Sequence, residues 1–495
     1  MLNLLLALLS AALLALSFPR ANLVWLAPVA LTPLLIAVTR ERRPWRRFLC
    51  GWAAGAVYWC AVCYWIQIVL AVHGSMGNPT AWAMFLLFSA AKALHMGVFA
   101  VLAGLLMRRW WAVPAVAAWW VAVEVTHGPL GFAWLALGNA GIDMGIPMRL
   151  APYTGVYGLS FVFAMLAAAL ALALLRRPRL ELLWLAPLPL LALLPSLPAA
   201  EPGRDAAVLV QSNISETEEW TPDSLNQMVR EQADLTLAST RRQSGDAPSL
   251  VIWPEVPAPY YYDDDERFRD SVDALARMTH AYLLIGTVAH TPAGAPLNSA
   301  QLISPNGSPL SRYDKVNLVP FGEFVPWPFG VLASKVSSEV GDFAAGKRVV
   351  VPAAGGHRIG TFICYESVFP NFVRRFAAGG AEVLCNISND GWFGRSAARR
   401  QHLNIVRMRA AENRRWILRS TNDGITATID PAGRLRGVLP TYTRAASYTG
   451  FTYLSEQTVY TRYGDWFAAL CALLSTFWLV ASALPTARKN EADGR

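Results

Sequence analysis

Three separate segments of the sequence each present one reactive side chain. Glu255 ends "VIWPE", Lys315 lies in "RYDKVNLVPFGEFVP", and Cys364 ends the apolar run "GTFIC". A carboxylate, an amine and a thiol suffice for covalent acyl transfer, because the carboxylate can take the thiol proton and the ammonium can stabilise a negative oxygen. Free cysteine is mostly protonated at neutral pH, so Cys364 would need such a base. The backbone N–H of Tyr365 is a natural second donor to that oxygen.

Each of the three residues has an ordinary structural explanation when it is taken alone. Buried cysteine is usually an inert small hydrophobic residue. A glutamate after a strand or a lysine in a loop is usually a solvated surface group. The combination favours catalysis, because all three residues lie among Pro, Gly and aromatic residues that make their segments rigid.

Short apolar segments alternate with amphipathic segments in the part of the chain that contains these residues. Predicted strands cover 206–214, 249–255, 281–290, 298–307, 357–367 and 381–390, and two more surround a turn in 415–435. Predicted helices cover 224–241, 264–280, 370–378 and 396–413. This alternation is typical of an α/β fold with both sheet faces covered, in which functional groups gather at strand ends. The sequence predicts one such domain over 204–455.

The chain as a whole has the composition of a membrane protein. The sequence is 54% hydrophobic and only 16% charged, with a mean hydropathy of +0.32. Crossing the hydrocarbon core takes roughly 20 apolar residues. Eight apolar runs approach that length: 2–17, 21–39, 48–72, 80–107, 110–126, 150–175, 180–198 and 465–485. The sequence therefore predicts a helical bundle of eight spans, seven within 1–200 and one at 465–485, followed by a tail at 486–495.

Basic residues flank alternate runs. They follow runs two, four, six and eight: Arg40, Arg42, Arg43, Arg46 and Arg47; Arg108 and Arg109; Arg176, Arg177 and Arg179; and Arg488, Lys489 and Arg495. Lys and Arg beside spans stay in the cytoplasm, so both termini are predicted to be cytoplasmic and the α/β domain to lie outside. We expect run one to be retained, because it lacks the basic segment and clear cleavage site of a signal peptide. The pI near 9.4 then reflects topology, and no nucleic-acid partner is expected.

The cysteines and histidines raise the question of a disulfide or a metal site. The cysteines are Cys50, Cys60, Cys63, Cys364, Cys385 and Cys471. Cys60-x-x-Cys63 has metal or redox spacing, but it lies in a predicted span without a histidine cluster, so packing is the simpler interpretation. Two cysteines in an outer domain would suggest a disulfide. A nucleophilic Cys364 excludes one, and Cys385 is then a core residue. The seven histidines are scattered, so no metal or cofactor is predicted.

Four motifs, in this order, make the chain resemble a known superfamily. The segments "WPE", "YDKVNLVPFGEF", "CYES" and "SNDGWFG" closely resemble the nitrilase superfamily. Together with the predicted spans, the whole chain resembles the bacterial apolipoprotein N-acyltransferase family. The segment "GFAWLALGNA" (131–140) fits that family as well, although Ala133 stands where the family commonly has proline. The resemblance implies a nitrilase-like α-β-β-α sandwich attached to the membrane bundle.

The resemblance also implies a role for each site residue. Glu255 would be the general base, Lys315 the oxyanion stabiliser and Cys364 the nucleophile. Five further residues would complete the site: Glu323 as a second acid that orients Lys315 or the incoming amine, Tyr365 and Glu366 as pocket residues, and Trp220 and Trp392 as aromatic residues on loops over the site. Ordinary aromatic packing explains the two tryptophans equally well.

The implied reaction has two steps. Cys364 takes an acyl chain from a phospholipid, with phosphatidylethanolamine expected, and the resulting thioester acylates the α-amine of the N-terminal diacylglyceryl-cysteine of an apolipoprotein. The expected location is the bacterial cytoplasmic (inner) membrane with the catalytic domain in the periplasm, and the chain is expected to act as a monomer. The segment 319–334 is predicted to be a lid that dips towards the membrane, or else a buried loop.

Two other functions stay open from the residues alone. One is a membrane-anchored amidase or nitrile hydrolase, in which water replaces the amine. The other is a transporter or receptor whose outer domain binds a ligand without chemistry. Transporter spans usually contain ionisable residues that face a pathway, and here the intramembrane candidates are few: Lys92, His95 and Glu124.

Overall fold

A helical part, an α/β domain and a further helix follow one another along the chain. The computed structural model describes residues 1–74, 76–130, 132–177, 179–197, 201–203, 205–215, 220–241, 249–256, 258–320, 322–324 and 343–483. The helices of the first part are α1 (Leu2–Leu16), α2 (Thr32–Arg40), α3 (Pro44–Val62), α4 (Trp65–Val72), α5 (Asn78–Leu106), α6 (Ala112–Glu124), α7 (Gly145–Met148), α8 (Ala151–Thr154) and α9 (Val156–Leu174). Short 3-10 helices cover Val24–Val29, Val125–His127, Leu137–Asp143, Arg179–Leu185 and Leu188–Leu193.

Two of the helices in the described residues, α5 and α9, are long and apolar enough to cross a membrane. Helices α3 and α4 would form a third span if they are taken together, although they are bent by 61° at the break between them. Apolar helices are therefore present, as the sequence predicts. The prediction of eight spans is not confirmed by this finding.

The predicted seventh run shows why hydropathy and helix length differ. In the described part of this run, which ends at residue 197, the chain forms two short 3-10 helices, Arg179–Leu185 and Leu188–Leu193, instead of one continuous α-helix. Pro187 lies between the two 3-10 helices, and Pro189 lies within the second one. Proline has no N–H for the i to i−4 hydrogen bond of an α-helix. The run is apolar enough for a span, but its prolines interrupt the helix.

The basic loops of the helical part lie together at one end of the bundle. The guanidinium of Arg177 donates to the carbonyl oxygen of Arg108 at 3.2 Å. The side chain of Arg47 packs against Gly104 near the end of α5. A Cβ added at Gly104 would lie 2.6 Å from Cδ of Arg47. The loops that follow α2, α5 and α9 therefore share one end.

The α/β domain contains twelve strands in the described residues. These are β1 (Asp205–Gln211), β2 (Leu250–Ile252), β3 (Tyr282–His290), β4 (Pro296–Ile303), β5 (Pro309–Asp314), β6 (Ala353–Ala354), β7 (His357–Ile363), β8 (Val383–Ser388), β9 (Ile417–Thr421), β10 (Ala427–Ile429), β11 (Leu435–Arg436) and β12 (Ala445–Phe451). The helices are α10 (Pro222–Arg241), α11 (Glu266–Thr279), α12 (Pro370–Ala378) and α13 (Ala398–Asn413), followed by α14 (Val459–Tyr463) and α15 (Trp466–Ala483).

The strands form two six-stranded sheets, with orders β12-β1-β2-β3-β4-β5 and β11-β10-β9-β8-β7-β6. Strands β1, β2 and β3 are parallel in the first sheet, and β7, β8 and β9 are parallel in the second. The loops that follow parallel strands leave a sheet at the same edge. Glu255 follows β2 and Cys364 follows β7, so each sheet contributes one candidate residue from such an edge.

Burial on both sheet faces follows from the strand period of two. In β1, Ala207 and Leu209 pack in the core that the two sheets share, whereas Val208 and Val210 pack in a second core. That second core includes Val229 of α10 and Val272 of α11. The predicted α/β fold with covered sheet faces is confirmed. Strands β5, β6, β11 and β12 were not predicted from the sequence.

The helical part and the α/β domain are joined by direct hydrogen bonds. Gln401 of α13 accepts from the indole N–H of Trp134 at 2.8 Å and donates to the carbonyl oxygen of Val62 at 3.0 Å. The backbone N–H of Val156 donates to Glu412 at 2.9 Å. The domain therefore packs on the ends of α3 and α9, and the loop 132–140 lies between the two parts.

Candidate active site

Cys364 lies at the end of β7 in an unusual backbone conformation. Its φ is +49°, in the left-handed region, and it begins a 3-10 helix that covers Cys364–Val368. This conformation costs a non-glycine residue about 1–2 kcal/mol. Ile363 pairs with Ile387, so the chain turns away from the sheet just where β8 reaches Ser388. The thiol is buried, with 6% of the residue exposed.

Lys315 lies between two carboxylates. Its Nζ is 3.0 Å from Oε1 of Glu255 and 2.8 Å from Oε1 of Glu323. The side chain of Lys315 is 1% exposed, so these contacts are shielded from water. The structure thus brings the Glu255 carboxylate, from the loop after β2, into contact with the Lys315 ammonium, from the loop after β5, and the catalytic roles of the two residues stay predictions.

Asn298 of β4 holds both carboxylates in place. Its Nδ2 donates to Glu255 at 2.8 Å and to Glu323 at 2.7 Å. The other oxygen of Glu255 accepts from the backbone N–H of Asn389 at 2.8 Å, and that of Glu323 accepts from the N–H of Val319. Sequence reasoning missed Asn298, because an asparagine inside a strand has no distinguishing local pattern.

The loop that contains Glu255 passes close over β3. A Cβ added at Gly286 would lie 2.5 Å from the carbonyl oxygen of Pro254, so only glycine allows this approach. The carboxylate is thereby fixed relative to the sheet rather than left on a flexible loop.

Charges around the thiol set its protonation state. Burial raises the pKa of Cys364, and the negative charge of Glu255 raises it further, while Lys315 acts in the opposite direction. Burial alone would lower the pKa of Lys315, but Glu255 and Glu323 outweigh it and hold that pKa well above its usual value. The resting site therefore holds a neutral thiol beside an ammonium ion, and the thiol needs a base to become nucleophilic.

Glu366 is fully buried in the 3-10 helix that begins at Cys364. It accepts hydrogen bonds from the Tyr313 hydroxyl at 2.7 Å and from the backbone N–H groups of Ile363, Val316 and Asn317 at 2.8, 2.8 and 3.1 Å. Burial raises its pKa to about 7, against these donors. The carboxylate ties the end of β7 to the loop after Lys315. It therefore positions both segments, and its predicted role in shaping the pocket stays a prediction.

The predicted aromatic residues lie in different surroundings. Tyr365 is buried, and its ring packs edge-on against Phe369 at 5.4 Å and lies 6.4 Å from Phe132 of the helical part. The ring of Trp392 lies 4.5 Å from that of His73. Trp220 is 38% exposed directly before α10, and residues 216–219 before it lie outside the described part of the chain. The roles of Trp220 and Trp392 stay predictions.

A second polar cluster lies beside Cys364. The Asp390 carboxylate accepts from the guanidinium of Arg419 at 2.7 Å and from the Ser388 hydroxyl at 2.8 Å, and it lies 2.9 Å from Nδ1 of His402. The His402 Nε2 is 3.1 Å from the carbonyl oxygen of Cys364. Sequence reasoning missed this cluster, although Asp390 lies in "SNDGWFG" directly after a predicted strand, which was a usable signal.

Among the residues that the structure describes, one group has atoms close enough together for a metal ion. Ligand atoms of Cys364, Asp390 and His402 lie within 4.8 Å of one another. In the structure these side chains have other partners, since Asp390 pairs with Arg419 and both ring nitrogens of His402 make polar contacts. The absence of a metal stays a prediction. Cys364 and Cys385 are both free thiols, and Cys385 is fully buried within β8, as predicted.

The predicted lid, 319–334, lies mostly outside the described residues, which include only 319, 320 and 322–324 of it. The described part keeps Glu323 in the site, because the Phe343 N–H donates to the Glu323 carbonyl oxygen at 3.0 Å.

Comparisons with known proteins cover nearly the whole chain. Residues 10–169 match the apolipoprotein N-acyltransferase N-terminal domain, and residues 207–451 match the carbon-nitrogen hydrolase family. An apolipoprotein N-acyltransferase of Geobacter metallireducens is 34% identical, covering 98% of this chain and 96% of that protein. One of Azotobacter vinelandii is 35% identical, covering 96% and 94%. An amidase from Nesterenkonia sp. of known structure is 18% identical, covering 55% of this chain and 98% of that one, with a TM-score of 0.39. By its matched regions and its full-length relatives, the chain belongs to the apolipoprotein N-acyltransferase family.

Proposed function

We propose that the protein transfers an acyl chain from a phospholipid, phosphatidylethanolamine in the first instance, to the α-amine of the N-terminal diacylglyceryl-cysteine of apolipoproteins. The reaction passes through a thioester on Cys364. The observation that supports this mechanism most strongly is the buried Lys315 ammonium, which lies 3.0 Å from Glu255 and 2.8 Å from Glu323. Family membership supports the identity of the acceptor.

The first step forms the thioester. Glu255 takes the proton of Cys364 while the sulfur attacks the ester carbonyl carbon of the phospholipid. The negative oxygen that develops is stabilised by Lys315 and by the backbone N–H of Tyr365. When the C–O bond breaks, the leaving alkoxide takes the proton back from Glu255, and the lysophospholipid departs.

The second step transfers the acyl chain to the amine. The α-amine attacks the thioester carbonyl, Glu255 accepts a proton from the nitrogen, and the C–S bond breaks to give an amide and the Cys364 thiolate, which is reprotonated. A thioester is activated enough for this attack, whereas the amide is stable. Glu323 orients Lys315 through their 2.8 Å contact in both steps.

We further propose that the helical part spans the cytoplasmic membrane eight times, with both termini inside and the α/β domain in the periplasm. Support comes from the contact between the basic loops, where Arg177 donates to the Arg108 carbonyl oxygen, and from hydrogen bonds of the α/β domain to Val62 and Val156. Basic residues mark the cytoplasmic ends of spans. The chain acts as a monomer, without metal or cofactor.

Single cysteines test this topology in intact cells. A membrane-impermeant maleimide should label Lys347→Cys in the exposed part of the α/β domain from outside, while Arg109→Cys should react only after the membrane is opened. Reaction of Arg109→Cys in intact cells would refute the orientation.

Replacement of Cys364 tests the function. Cys364→Ala should accumulate lipoproteins with a free α-amine, whereas Cys385→Ala, the matched buried thiol, should not. Intact mass spectrometry of the wild type with phosphatidylethanolamine should show one added acyl chain on Cys364. Persistent N-acylation by Cys364→Ala would refute the mechanism. Rapid loss of the acyl chain to water, with no transfer to an added diacylated lipopeptide, would favour the hydrolase instead.

A further inference from the structure

The backbone of the nucleophile is held by a buried histidine that the proposed mechanism does not use. The His402 ring on α13 is fully buried, and its Nε2 lies 3.1 Å from the carbonyl oxygen of Cys364 and 2.8 Å from the hydroxyl oxygen of Ser367. Both partners belong to the 3-10 helix that begins at the nucleophile. The ring is therefore in contact with the turn that sets the direction of the thiol.

The neighbours of His402 determine where its protons are. A carbonyl oxygen only accepts hydrogen bonds, so Nε2 must be protonated to contact that of Cys364. On the other side, Nδ1 is 2.9 Å from the Asp390 carboxylate, which also accepts from Ser388 and Arg419. A hydrogen bond from Nδ1 to that carboxylate requires a proton on Nδ1 as well, and a ring that makes both hydrogen bonds is an imidazolium ion.

Asp390 remains ionised although it is fully buried. Burial alone would raise the pKa of its carboxyl group, but the charges of Arg419 and His402 outweigh that effect and hold the pKa well below its usual value. The guanidinium of Arg419 also lies 3.4 Å from Nδ1, a longer contact than its 2.7 Å bond to Asp390. The three side chains thus form a chain of alternating charges that ends at the Cys364 carbonyl oxygen.

We propose that His402 is a positioning residue: held as an imidazolium by Asp390, it donates to the carbonyl oxygen of Cys364 and keeps the nucleophile in its left-handed conformation, with the thiol directed towards Glu255 and Lys315. This inference rests on the proposed role of Cys364 as the nucleophile. A φ of +49° is unfavourable for cysteine, and such strained residues persist where their surroundings fix them. Asp390 and His402 are both 0% exposed, so bulk solvent does not reach this contact in the intact protein.

The test compares two replacements of His402 with a matched control. His402→Leu removes both donors, whereas the amide nitrogen of His402→Gln can still reach the Cys364 carbonyl oxygen. For the full chain in detergent, with phosphatidylethanolamine as donor, we expect His402→Leu to form the thioester about 10- to 100-fold more slowly, with KM unchanged. His402→Gln should restore at least half of the lost rate of thioester formation, measured on a logarithmic scale. His290→Leu, an exposed histidine of β3, should behave like the wild type.

Several outcomes would overturn this inference. The inference is wrong if His402→Leu folds and forms the thioester at a rate within threefold of the wild type. It is also wrong if His402→Leu changes KM alone. If His402→Leu does not fold, nitrogen-15 NMR of the histidine-labelled wild type decides. The signal of His402 is identified as the one that is missing from the His402→Gln spectrum. In the wild type, that signal should show both ring nitrogens protonated at pH 7. A neutral His402 would contradict the proposal. Wild type that forms no thioester on Cys364 would instead refute the proposed function itself.

Discussion

Removal of the Lys315 ammonium gives the sharpest test of the site, because its effects on stability and on catalysis can be separated. Lys315→Met keeps much of the side-chain volume but removes the charge between Glu255 and Glu323. Breaking a buried ion pair costs about 3–5 kcal/mol in the free energy of unfolding. Each carboxylate keeps two other hydrogen-bond donors, including the shared amide of Asn298, so we expect the lower end, about 3 kcal/mol.

The rate of thioester formation in Lys315→Met should fall by more than the loss of stability alone would suggest. Loss of a donor to the oxyanion lowers the rate about 10²- to 10³-fold. In addition, Glu255 and Glu323 would face each other as like charges, so that one takes up a proton, and a protonated Glu255 cannot act as the base. We therefore expect thioester formation to fall at least 10³-fold in Lys315→Met.

A second variant separates the two effects. Lys315→Met combined with Glu323→Gln removes the repulsion, so the free energy of unfolding should recover in large part, while the rate should stay low. Lys347→Met, an exposed lysine of the same domain, is the control and should change neither quantity. Denaturant unfolding in detergent measures the stability, and intact mass spectrometry follows the thioester on Cys364. A Lys315→Met rate within tenfold of the wild type, equivalent to about 1.4 kcal/mol, would refute the assigned role.

Three further predictions concern the residues around Lys315. Glu255→Gln removes a negative charge that raises the pKa of Cys364, so the thiol should react faster with iodoacetamide at pH 8 while acyl transfer is lost; slower alkylation would contradict this sign. Asn298→Ala removes the hydrogen-bond donor that Glu255 and Glu323 share. We expect kcat to fall about tenfold and the free energy of unfolding to fall by about 1.5–3 kcal/mol, as measured by initial rates and by denaturant unfolding. An unchanged kcat would show that this hydrogen-bonded bridge is dispensable. Cys385→Ala should keep full activity, and peptide mapping after alkylation should find the adduct on Cys364 in both proteins.

The helical part shows where hydropathy stops being informative. Apolar composition alone predicts the position of the runs, and α5 and α9 are long apolar helices as expected. Helix continuity depends on local hydrogen bonding, however, and prolines such as Pro187 and Pro28 divide two of the runs into shorter helices. A window average cannot detect this, because one or two prolines change the mean hydropathy of a window of about 19 residues only slightly.

The order of strands in the two sheets could not be predicted from the sequence. Strand β12 pairs with β1 across more than 200 residues of chain, with Phe451 opposite Asp205. Its sequence, "AASYTGF", has few large apolar side chains, so no local pattern marks it as a strand. Pairing between distant strands depends on the packing of the whole domain.

The residues that could do chemistry were determined by the sequence alone, because Glu255, Lys315 and Cys364 each follow an apolar strand or lie in a rigid loop, and such local patterns can be read along the chain. Only the tertiary structure decided which side chains hold them. Asn298 and His402 are ordinary residues of a strand and a helix, and they become parts of the site because folding brings β4 and α13 against the ends of β2 and β7. Local sequence specifies which groups are present, whereas contacts between distant segments set their distances, burial and charge.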